Sequence, residues 1–156
     1  MQIFKTESQA GWFARFPKFN HNPDAKVSDE FKRLGEQRGW KPSSRTWKKN
    51  WRECWNYEYD RLIGHRATSL ATWQQMCAKL GLDNTMPSIR KCKKALSRVF
   101  VNIIDLLECW DKEEQPRLFS SQKELSKYAK KGKGKTFGRE IAKQDKVLRV
   151  LLKKLY

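Results

Sequence analysis

The sequence predicts an all-α fold of about six or seven helices, and three observations carry that expectation. Large apolar side chains recur at helical spacing, above all Trp47, Trp51, Trp55, Tyr59 and Ile63, one every four residues. Serines and glycines stand where helices would start and stop, among them Ser28, Ser44, Ser69, Ser88 and Ser121, with Gly39, Gly64 and Gly81. Only residues 99–104 have a strand-like run, and the lack of any second strand argues against a sheet. Seven Trp and eight Phe in 156 residues mark a folded chain, since disordered chains carry few large aromatics. The length fits one domain with a real core, here taken as residues 1–156.

Residues 1–27 read as an aromatic N-terminal arm. Trp12, Phe13, Phe16 and Phe19 cluster around Pro17, and leaving them in water would be costly, so the arm should lie on the core after a short helix from about Ser8. Ser28 is placed to cap a helix with Asp29 and Glu30 in its first turn, Phe31 and Leu34 inward, and Gly39 at its end. The next helix should start near Ser44 and stop at Gly64. Its tryptophan stripe suits a core better than a base-stacking platform.

Ser69 should open a helix that buries Leu70, Trp73, Met76, Cys77 and Leu80 and closes at Gly81. Pro87 and Ser88 open another, with Ile89, Cys92 and Leu96 inward and Arg90, Lys91, Lys93, Lys94 and Arg98 outward. Residues 99–110 form the most apolar stretch and read as a buried helix. Residues 111–120 read as a polar linker. Ser121 and Glu124 make a capping box for a short helix ending near Tyr128. Residues 130–136 read as a flexible basic loop, and a last helix from about Phe137 would bury Ile141, Leu148, Leu151, Leu152 and Leu155.

Charge is the strongest functional signal. Lys and Arg total 34 against 17 Asp and Glu, a formal net charge of +17. Such an excess destabilises the compact state by self-repulsion unless a counter-charge is supplied, and DNA, RNA or an anionic surface would supply one. The cations are clustered. No acid lies between Asp83 and Asp105, and the basic helix falls inside that gap. Residues 123–154 hold the second cluster, including Lys130, Lys131, Lys133, Lys135 and Arg139. Lysine predominates there, which favours contact with phosphates over reading of base edges.

The residue patterns of catalysis are weak by comparison. Gly134-Lys135-Thr136 resembles the end of a phosphate-binding loop, but the position that needs the first glycine holds Ala129 and no buried strand precedes it. Asp111, Glu113 and Glu114 lie in the linker and lack the geometry of a metal-dependent nuclease. Asp105, a lone acid in an apolar segment, fits a structural ion pair better than a catalytic role. Cys54, Cys77, Cys92 and Cys109 do not pair as CxxC, and His21 and His65 are the only other soft ligands, so buried reduced thiols are expected and no metal or other cofactor. Reduced thiols point to the nucleus or cytosol. The N-terminus lacks a signal peptide's apolar core, and no stretch approaches a membrane span.

One resemblance spans most of the chain. The segments F-ARFPKFNHNPDA…EFKRL…RGW (residues 13–40), YDRLIG (59–64), LATWQQMCAKLGL (70–82), MPSIRKCKKAL (86–96), VNIIDLLE (101–108) and LFSSQKELSKYAKK (118–131) together resemble an uncharacterised family of small fungal proteins. The resemblance implies a fungal source and one domain, and it carries no catalytic residues. The chain departs from the family pattern at residues 130–135, which are lysine-rich here and threonine-rich there.

The expected function is therefore non-enzymatic, sequence-nonspecific binding of nucleic acid, DNA before RNA, by a nuclear protein acting on chromatin. The expected contacts are Arg90, Lys91, Lys93, Lys94 and Arg98, with Lys130, Lys131, Lys133, Lys135 and Arg139. The alternative is an adaptor that docks on an acidic protein, with the aromatic arm at the interface. A small nuclease ranks third.

Overall fold

The computed structural model describes residues 11–66 and 68–131. The fold is all-α, with six α-helices among the described residues and one two-stranded sheet. These residues fall into two compact units that divide between Arg61 and Leu62.

The first unit is built on rings. A 3-10 turn over Trp12–Arg15 leads into the arm, and α1 (Val27–Arg38) and α2 (Arg45–Leu62) follow. Phe31 on α1 is fully buried. Four tryptophan rings surround it: Trp12 and Trp40 at 5.8 Å, Trp47 at 5.3 Å and Trp51 at 5.1 Å between centroids. Trp47 and Trp51 stack on each other within 10° of parallel. The tryptophan stripe of α2 is therefore core, as its period predicts, and its rings are not offered for base stacking. The arm is core too. Trp12, Phe13 and Phe19 are buried, and the half-buried Phe16 packs on Trp12 and Trp40.

A buried carboxylate pins the arm to α1. Glu30 accepts from the Asn22 amide, from His21 Nδ1 at 2.9 Å and from Arg33 Nη2 at 2.9 Å on one oxygen. Its other oxygen accepts from Arg33 Nε at 2.9 Å. Burial pushes the carboxyl up, but the hydrogen bonds from Arg33, Asn22 and His21 and the Arg33 charge outweigh it and hold the group at about 2. The same guanidinium lies 4.3 Å from the centre of the Phe19 ring and reaches the Asn20 carbonyl.

The second unit begins at the end of α2 and contains α3 (Leu70–Lys79), α4 (Ile89–Leu96), β1 (Phe100–Val101), α5 (Ile103–Cys109), β2 (Leu118–Phe119) and α6 (Gln122–Lys131). Trp73, Met76 and Cys77 of α3, with Leu80 just after it, and Cys92 and Leu96 of α4 are all buried where the two helices pack. Val101, Ile104, Leu106, Trp110 and Leu125 add to the apolar interior. Asn102 caps α5, its side chain accepting from the Asp105 amide at 3.1 Å. Asp105 in turn accepts from the Tyr128 hydroxyl at 2.7 Å, which ties α5 to α6.

Gly39 and Gly81 end α1 and α3 as expected. Both are left-handed (φ 72 and 75), and both complete the same pair of bonds. The Trp40 amide donates to Gly35 and the Gly39 amide to Glu36. The Leu82 amide donates to Cys77 and the Gly81 amide to Ala78.

Several boundaries differ from expectation. The helix expected to be capped by Ser28 starts at Val27, two residues earlier than that cap implies, with Lys26 in the flanking position. Gly64 does not cap α2; it opens a 3-10 turn over Gly64–Arg66, and α2 has already ended at Leu62. The second strand thought missing exists. Val101 pairs with Leu118 and Phe100 with Phe119, antiparallel. Two residues are too few to show a period of two, so nothing in the sequence distinguished Leu118-Phe119 from linker. The segment 111–120 is thus part of the fold: Pro116 and Phe119 are buried, and Lys79 donates to the carbonyls of Lys112 and Glu114. The capping box at Ser121 forms its Glu124 amide bond at 3.2 Å, but α6 runs on through Lys131, so Lys130 and Lys131 are helical and not loop. The arm's helix from Ser8 falls partly, and residues 132–136 and the helix from Phe137 with its stripe from Ile141 to Leu155 fall wholly, outside the described residues.

Candidate nucleic-acid interface

Helix α4 presents the expected cations on a short, firmly seated element. Ser88 caps it, the hydroxyl accepting from the Lys91 amide at 3.2 Å. Cys92 and Leu96, both without exposed surface, fix which way the helix faces. Arg90, Lys91 and Lys94 then point to solvent, and Arg98 joins them from the exit turn, where the Ser97 and Arg98 amides donate to Lys93 and Ala95. Among the described residues, none of these four cations forms an ion pair with an acid.

Lys93 is different. It is half-buried, and its ammonium lies 5.2 Å from the centre of the Trp73 ring, so part of its charge serves the packing of α4 on α3. Arg117, a cation the sequence did not single out, is likewise placed over aromatic faces, 4.7 Å from Phe119 and 5.8 Å from Tyr128.

Position on the helix separates the two basic clusters. The positive end of a helix dipole is its N-terminus, and cations there cost stability while acids gain it. Arg90 and Lys91 occupy the first turn of α4, which holds no acid. Lys130 and Lys131 occupy the last turn of α6, where the dipole favours them, so their placement has a sufficient structural reason. Both are exposed. Lys133, Lys135 and Arg139 lie outside the described residues. The structure therefore groups Arg90, Lys91, Lys94 and Arg98 on one helix and its exit, and places Lys130 and Lys131 on another. Between them in the chain stand the two strands, and α6 packs on both.

Among the described residues, the buried carboxylate Glu30 and the buried thiols are engaged in the packing of the fold. Glu30, the most buried carboxylate beside a histidine, has both oxygens occupied and a lowered pKa, the reverse of a general base poised near neutrality. Cys54, Cys77 and Cys92 are buried free thiols, and Cys109 is half-buried. Burial pushes Cys77 up to about 12, with its neighbour Cys92 adding to the shift. Among the described residues no three His, Cys, Asp or Glu side chains converge as metal ligands; the His65 side chain lies outside them. No described helix is long and apolar enough to cross a membrane. The chain matches no family model, no curated protein and no solved structure.

Proposed function

We propose that this chain is a non-enzymatic protein that binds nucleic acid through its phosphate backbone, duplex DNA before RNA, with little preference for sequence, and that it acts in the nucleus. The observation that carries the reading is the exposed side of α4 and its exit turn: four cations that form no ion pair among the described residues, two of them at the end of the helix where its own dipole opposes them. A fold keeps charge in an unfavourable place when something outside compensates it, and phosphates compensate it with release of their counterions.

Duplex is favoured over single-stranded RNA for a physical reason. Single strands are held by stacking bases on exposed aromatic rings. Here Trp12, Trp47, Trp51, Trp55 and Trp73 are buried. A rigid row of cations suits a regular backbone instead. The burial of Trp12 and Phe13 speaks against the aromatic arm as a docking surface for an acidic protein.

The test is binding of the full chain to labelled duplex DNA and to single-stranded RNA over a salt series. The expected result is duplex binding whose log affinity falls with log salt at a slope of about −4 or steeper, one unit of roughly 0.9 per phosphate contacted. Absence of binding to both at low salt contradicts the reading and directs attention to an acidic protein partner.

A further inference from the structure

The first unit carries a second basic surface, which the tryptophan stripe of α2 conceals in the sequence. Arg45, Lys48, Lys49 and Arg52 stand at i, i+3, i+4 and i+7 of that helix and so share one side of it. All four are exposed, and the exposed Lys41 stands in the turn that leads in. The side bearing Trp47, Trp51, Cys54 and Trp55 is buried.

Among the described residues these charges have little local compensation, the nearest acid on the helix being Glu53, one turn after Lys49. The first turn of α2 contains no acid. The first acid along the helix, Glu53, is engaged by Arg15 at 3.2 Å. Among the described residues, none of the five cations forms an ion pair. The arrangement is unfavourable twice over: Arg45 and Lys48 sit at the positive end of the dipole, and Arg45–Lys49 and Lys48–Arg52 are like-charged pairs one turn apart. In the same unit, α1 shows the ordinary pattern, with Asp29 and Glu30 in its first turn. A merely solvated face would mix its signs.

The surface is also rigid. Ser44 caps α2 by accepting from the Trp47 amide at 3.2 Å, and the stacked Trp47 and Trp51 rings hold the backbone beneath the cations. From Arg45 to Arg52 the helix rises about 10.5 Å, at roughly 1.5 Å per residue. One strand of a duplex offers a phosphate for about every 3.4 Å of axis, so that length matches about three phosphates.

We infer that the side of α2 bearing Arg45, Lys48, Lys49 and Arg52 is a second phosphate-contacting surface, so that each unit contributes its own contacts to the same kind of ligand. This rests on the nucleic-acid reading of α4. The experiment compares the full chain with a variant carrying Arg45→Gln, Lys48→Gln, Lys49→Gln and Arg52→Gln on one duplex over one salt series. Three lost phosphates make the log–log slope shallower by about 2.7. Between 50 and 200 mM salt the variant's affinity then falls about 40-fold less than the wild type's. Where the quadruple variant melts early, the four single substitutions replace it, each making the slope shallower by about 0.7. Wild-type binding with an unchanged slope in these variants overturns the second surface and leaves α4 standing. No binding by the wild type overturns both.

Discussion

The ammonium of Lys93 stands 5.2 Å from the centre of the Trp73 ring, across the contact between α4 and α3. The next residue, Lys94, is exposed. Two adjacent lysines in one basic helix thus have different work. Lys93→Ala should lower stability by about 0.5–1 kcal/mol through the lost cation–ring contact and should change the salt slope of duplex binding little. Lys94→Ala should leave the melting temperature in place and make the slope shallower by about 0.9. Thermal melts and salt titrations of the two single variants check the pair, and equal effects of both on both readouts would show that Lys93 is not held as described.

Glu30 makes the first unit sensitive to acid. Its carboxyl is held at about 2 in the fold, below the ordinary value of 4.5. A lowered carboxylate contributes stability that is present above the unfolded value and is lost as pH falls through the folded one. Stability should therefore be level above about pH 5 with respect to this group and decline from there toward pH 2. Discounted for solvent around the half-exposed Arg33, the contribution is about 2 kcal/mol. Glu30→Gln should cost about that amount at neutral pH and flatten the acid limb of a denaturation profile. An unchanged acid limb would mean that Glu30 is not the group that gives way.

Backbone conformation gives a matched set of stability changes. Gly39 and Gly81 are left-handed, and a Cβ at either would meet nothing within 4 Å, so the cost of Ala is conformational alone. Gly39→Ala and Gly81→Ala should each destabilise by about 1 kcal/mol. Ser43 is the one described non-glycine residue with positive φ, at 67°. Ser43→Gly should be neutral or stabilising by up to about 1 kcal/mol. Chemical denaturation of the three variants measures the signs.

The thiols should be quiet in the folded chain. Cys54, Cys77 and Cys92 have no exposed surface, and burial raises the Cys54 and Cys77 thiols well above their ordinary value. A thiol-specific disulfide reagent at pH 8 should find Cys109 first and slowly, since it is half-buried and raised as well. All four should react at once in denaturant. Fast native labelling of Cys77 or Cys92 would contradict the packing of α3 on α4.

Much of the fold was legible because local chemistry and tertiary packing agree. The four-residue period of Trp47, Trp51, Trp55 and Tyr59 demanded a buried stripe, and the glycines after Arg38 and Leu80 demanded left-handed stops. Gly64 misled because a glycine near a helix end also serves a 3-10 turn, and only the following contacts decide which forms. The first strand lies inside the strand-like run 99–104, but its partner Leu118-Phe119 escaped because two-residue pairing leaves no pattern along the chain. The site was legible in part. A run such as Arg90–Lys91–Lys93–Lys94 announces a basic helix, but only the position of Trp73 shows that Lys93 is partly spent on packing. The cations of α2 share their helix with a stronger pattern: the four-residue period of the tryptophans overlies the i, i+3, i+4, i+7 spacing of Arg45, Lys48, Lys49 and Arg52.

The most direct test of the central claim removes the face of α4 from the full chain by Arg90→Gln, Lys91→Gln, Lys94→Gln and Arg98→Gln and measures duplex binding against salt. All four side chains are exposed, so the variant should melt like the wild type. The account predicts a slope shallower by up to about 3.6 and weaker binding on every duplex sequence tried. A variant that binds as the wild type does, with the same slope, would contradict it.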